Sequence, residues 1–163
     1  MDTTFLTDSQ HRLCFPAGFS VPDKWIASQS RSSDPTDAPF RRKVEFWLLS
    51  IAYAIRRGIP PNMNARLEQF ATVGPHERND VKLDSQVLQL LLHVAIWHRR
   101  EDITRETVPS AADVFKICNA YAAAAVSALL DEFEGEGGTA LDPTAVKLAK
   151  LAGKLVSNPA SRL

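Results

Sequence analysis

The chain has 163 residues, 45% hydrophobic and 23% charged, with 19 Lys+Arg balanced by 19 Asp+Glu. That is enough chain to bury an apolar core without a metal or disulfide staple, and its balanced charge excludes a protein that coats nucleic acid through bulk basicity. Its two cysteines, Cys14 and Cys118, stand far apart in unlike surroundings, which excludes a disulfide framework and points to a reducing, cytoplasmic setting.

The opening MDTTFLTDSQ lacks a basic stretch followed by an apolar one, so it does not read as a secretory leader. Residues 1–39 read as an irregular arm and linker. Within them RLCFPAGF and FSVP are expected to supply a short strand or hairpin, with Pro16 and Gly18 at a turn. SQSRSSDPTDAP, Ser28 to Pro39, is polar, proline-rich and aperiodic, hence a loop.

A first helix is expected over 40–57, with Asp37 as N-cap and Pro39 in the first turn. Arg56 and Arg57 suit the negative end of its dipole, Gly58 its C-terminal cap, and Pro60-Pro61 forbids continuation. On a helical wheel Phe40, Val44, Trp47, Leu48, Ile51, Ala54 and Ile55 share one broad face, while Phe46, Leu49 and Tyr53 cover much of the opposite one. A helix apolar on both sides is covered on both sides. Phe46, Leu49 and Tyr53 are therefore candidate protein-interface residues, the second cover coming from this chain or another. The cations Arg41, Arg42, Lys43, Arg56 and Arg57 bracket this helix without forming a stripe, as solvated ends do. Three of them oppose the positive end of the helix dipole, which Asp34 and Asp37 just upstream, Glu45, or an anionic partner would compensate.

A short second helix is expected over 64–71, stopped by Gly74-Pro75, and a third over 85–100. The third carries His93 and His98, about 140° apart around the axis and so unable to share a metal from one face. His93 falls on a narrow polar stripe with Gln86, Gln89 and Arg100, flanked by Trp97. His98 falls on the apolar side. The longest helix spans 107–134, with Ser110 and Asp113 at capping-box spacing. Cys118 lies mid-helix on its apolar face and reads as a buried thiol. The alanine run Tyr121–Ala125 suits close helix packing or self-association. The acidic end Asp131, Glu132, Glu134 and Glu136 reads as solvated.

Asp142-Pro143 opens a last amphipathic helix over 142–156. Leu148, Leu151, Ala152 and Leu155 line one side, and Lys147, Lys150 and Lys154 another. Leu148, Leu151 and Leu155 join the interface candidates, and the three lysines join the anion-contact candidates. Phosphate loops, dinucleotide loops, metalloprotease and hydrolase motifs are all absent from the sequence, so no catalytic residue, metal ligand or cofactor site is assigned.

The expected architecture is all-α: a compact bundle of about five helices in a single domain over 40–163, behind the N-terminal arm. The expected role is a non-catalytic, cytoplasmic accessory or adaptor subunit that binds protein, self-associates or sits in a larger assembly, with no membrane span. The alternative is a nucleic-acid-binding accessory protein using the basic ends of the first helix and the C-terminal lysine face. An enzymatic reading would require His93 inside an inter-helix pocket.

Overall fold

Among the described residues, local periodicity and long-range pairing disagree at one place, and pairing prevails there. The computed structural model describes residues 3–26, 40–75, 81–101 and 109–134. In chain order these form β1 (His11–Pro16), α1 (Lys43–Arg57), β2 (Leu67–Val73), α2 (Ser85–His98) and α3 (Ala111–Glu134), with two short 3-10 turns before α1. The fold is therefore mixed, three helices and a two-stranded antiparallel sheet, and not an all-α bundle of about five helices. The short helix expected over 64–71 is β2. Its Ala, Arg, Leu, Glu and Gln residues are good helix formers, but intrinsic propensity amounts to a fraction of a kcal/mol per residue, and pairing with β1 overrides it. The helix expected over 142–156 lies outside the described residues.

The N-terminal strand forms at RLCFP as expected, but its partner is β2, reached across α1, rather than the adjacent FSVP. The register runs from His11 opposite Val73 to Pro16 opposite Leu67. Leu13 faces Ala71 and Cys14 faces Gln69, which leaves Phe70 as the extra residue of a bulge in β2. The Ala17 N–H extends the ladder by donating to the Arg66 carbonyl at 2.7 Å. Pro16, which has no N–H to donate, closes β1 at the sheet's end.

Helix α1 begins at Lys43, later than expected, after Arg42 in extended conformation with no side-chain cap. Glu45 reaches back from the first turn to accept the Arg41 N–H at 2.8 Å, satisfying a group beside the crowded cations. The other end is a Schellman cap. Gly58 adopts φ +66°, Ile59 N–H donates to the Ala54 carbonyl at 2.8 Å, and Gly58 N–H donates to Ile55 at 3.2 Å. Helix α2 is capped by Asp84, whose carboxylate accepts the Val87 N–H at 2.8 Å. Helix α3 begins behind the Ser110–Asp113 capping box. Asp113 N–H donates to Ser110 Oγ at 3.2 Å, and Ser110 N–H donates back to the Asp113 carboxylate at 3.3 Å.

Helix α3 is the hub, packing against α1, β1 and α2. Its apolar length, Ala111–Glu132, would suffice to cross a membrane, but most of it is buried within this chain. Beside it, Phe46 of α1 is fully buried inside a ring of aromatics: Phe40 at 5.3 Å between centroids, and Phe15, Phe19 and Trp25 each at 6.1 Å. Phe15 also stacks on the bulge residue Phe70 at 4.4 Å. The N-terminal stretch thus supplies the second cover of α1, and Leu6, Leu13, Val21 and Ile26 join the same apolar cluster. Ile26 bridges to Phe40, and the Phe40 N–H donates to the Trp25 carbonyl at 3.1 Å.

Candidate functional site

Asn119 of α3 is the polar centre of the core. It is 5% exposed, and its Oδ1 accepts the Cys14 N–H at 2.9 Å and the Trp47 Nε1–H at 3.1 Å, while its Nδ2 donates to the Arg12 carbonyl at 2.9 Å. Arg12 and Cys14 are two apart on β1, so these groups point to the edge away from β2. One side-chain amide thus takes the place of a neighbouring strand's peptide and ties α3, α1 and β1 together. Each buried side-chain nitrogen and oxygen of that group has at least one partner.

Both thiols lie in this interior. Burial pushes the Cys14 thiol up despite the opposing charge of Arg12, and burial alone pushes Cys118 far higher. Cys118 Sγ points to the Leu91 carbonyl at 3.7 Å. Neither is an activated nucleophile, which needs a lowered pKa. His11 stacks on Phe115 at 4.7 Å, its Nε2 lies 3.0 Å from Ser9 Oγ, and burial holds its pKa below the ordinary value.

Among the described residues, two of the four exposed large apolar side chains, Leu90 and Trp97, lie on α2; the others are Met63 and Leu67. Leu88, Leu91, Leu92, Val94 and Ala95 are buried toward the core. On the opposite side Leu90 is 52% and Trp97 46% exposed, with exposed His93 between them. Spacings of three and four residues place all three on one stripe. His93 bonds to no described side chain and occupies an open face rather than an inter-helix pocket. The far end of the stripe is anchored: His98 Nδ1 lies 3.3 Å from the Tyr121 hydroxyl, and the Trp97 ring is 6.4 Å from that of Tyr121. The Arg100 guanidinium lies 4.8 Å over the Trp97 ring and donates to the Trp97 carbonyl at 3.0 Å. Arg99 pairs with Asp113 at 3.5 Å. The Ser110 hydrogen bond, more than that cation, holds the Asp113 carboxyl below its usual range. An apolar stripe with a cationic end results.

The residues nominated from sequence fall in different places. Phe46 and Tyr53 are buried, and Leu49 is half-buried against the same core. Arg41, Arg42 and Arg56 are exposed, and Lys43 is half-buried. The two ends of α1 are separated by about 22 Å of helical rise, so these cations do not converge. Arg57 is engaged, 3.3 Å from Glu132 and 5.5 Å from the Tyr53 ring centroid. The hydrogen bond that the Tyr53 hydroxyl donates to the Glu132 carboxylate is the main reason this hydroxyl titrates above its ordinary value. Leu148, Leu151, Leu155, Lys147, Lys150 and Lys154 lie outside the described residues. No group of three His, Cys, Asp or Glu side chains among the described residues is arranged to hold a metal.

Sequence reasoning missed Asn119 as a strand-edge partner and Leu90 as a surface residue. The wheel already set His93 beside Trp97, and adding Leu90 at i−3 would have revealed the stripe. The chain matches no family model, no curated protein and no solved structure.

Proposed function

We propose that the protein is an accessory or adaptor subunit that acts by binding another protein through the exposed face of α2, in a reducing cytoplasmic setting where both buried thiols stay reduced. The observation that carries this reading is the Leu90–His93–Trp97 stripe. Two large apolar side chains, each about half exposed, sit one above the other on a helix whose other face is fully used in the core. Apolar side chains grouped in this way mark contact surfaces more often than scattered ones do. Tryptophan and arginine are among the residue types most enriched at positions that carry interface energy.

Arg99 and Arg100 at the end of the stripe favour a partner segment that is apolar with carboxylates at one end. A photo-crosslinking residue placed at Leu90 or Trp97, in extract from cells that make the protein, tests the role. The expected adduct forms with a segment of that chemistry and drops at least about tenfold when Arg100→Glu is added, as loss of a hot-spot contact implies. No adduct at either position, or one indifferent to Arg100→Glu, overturns it.

A further inference from the structure

The sheet has one edge that the chain covers and one that it leaves partly open. On β1 the outward Cys14 N–H and Arg12 C=O are taken by Asn119. On β2 the Arg66 carbonyl faces β1, where it accepts from Ala17, so alternation turns the backbone groups of Leu67 and Gln69 outward. Beyond the bulge the Thr72 carbonyl also points outward, and it accepts the Val81 N–H at 2.7 Å. The edge is therefore blocked at its Thr72 end. At Leu67 and Gln69, both exposed, no described residue bonds to it.

We infer that this open half of β2 pairs with the same strand of a second copy of the chain. Val81 excludes registers centred toward Thr72, and charge selects among the remainder. An antiparallel pairing with Leu67 opposite Leu67 of the second copy places Arg66 opposite Glu68 twice, each cation meeting an anion across the strands. A pairing shifted by one residue about Glu68 sets Glu68 against Glu68, which is repulsive. Arg66, Leu67 and Glu68 are all exposed, with Leu67 at 37%, so the pairing requires no rearrangement of the core. In the selected register the outward N–H and C=O of Leu67 exchange two hydrogen bonds with their counterparts. The inference gives the binding role proposed above a second, self-directed surface, separate from α2.

Sedimentation equilibrium on the full chain at low and moderate salt tests it. The wild type is expected to be a reversible dimer at micromolar concentrations. Arg66→Glu and Glu68→Arg are each expected to weaken it about tenfold, since each replaces two attractions with two repulsions. The double variant R66E/E68R restores the complementarity and is expected to recover the dimer. Leu67→Pro removes an outward N–H that no described group uses, and is expected to abolish dimerisation while leaving the circular dichroism spectrum unchanged. A monomer throughout, or a dimer indifferent to both single charge reversals, overturns the inference. A dimer lost through Trp97→Ala and kept in the β2 variants also overturns it, while leaving the α2 binding surface standing.

Discussion

Removing the Asn119 side chain leaves the Cys14 N–H, the Trp47 indole N–H and the Arg12 carbonyl without partners in a buried setting. Each such group costs about 1–3 kcal/mol, so Asn119→Ala is expected to lower stability by at least about 3 kcal/mol. The shift in urea midpoint, followed by tryptophan fluorescence, measures it, and a loss below about 1 kcal/mol would mean that the clamp is not formed. His11 gives a pH dependence. Its folded pKa lies below the ordinary 6.5, so the unfolded chain takes up the proton first. Stability is then present above about pH 6.5 and falls as the pH drops from there toward the folded value, where the loss levels off. Unfolding midpoints at pH 7.5 and 5.5 should differ in the wild type and converge in His11→Phe, which keeps an aromatic ring for Phe115. Asn119 could not be recognised in sequence because its partners lie 72 to 107 positions away. The Ser110–Asp113 box was legible because both of its residues lie within one turn.

At the scale of elements, signals carried within a few residues were reliable and those needing a distant partner were not. Gly58 ended α1 where its position predicts, and Ser110 began α3. Gly58→Ala is expected to cost about 1 kcal/mol, as a side chain in the left-handed region does, with no steric addition because a Cβ there meets nothing within 4 Å. Asp84→Ala should cost about 1 kcal/mol through the lost cap of α2. Thermal melts distinguish both from wild type. Phe46 was legible as covered, but its cover was not, because the rings of Phe15, Phe19 and Trp25 come from a stretch with no helical period. Phe46→Ala is expected to cost about 3–5 kcal/mol in a dilute monomer, the size of an emptied core position. A cost below about 1 kcal/mol would place Phe46 outside the chain's own core. The strand at Leu67–Val73 was misread for the complementary reason: several of its residues are good helix formers, and its partner is more than fifty positions upstream.

At the scale of the molecule, α3 holds three elements and α2 packs principally on α3. Backbone amides of α2 are therefore expected to exchange with solvent through local openings of lower free energy than those of α1 and α3. Hydrogen exchange resolved by helix checks this, and equal protection in all three would show α2 bound into one cooperative unit. On the β2 pairing inferred above, the amide of Asn119 would also limit how many copies the sheet recruits. With the β1 edge occupied by a side chain, a partner strand can add on the β2 side alone, so growth halts once that side is filled. A variant that folded without this plug would present two adhesive edges per molecule. Successive copies could then stack without limit, the geometry from which fibres arise.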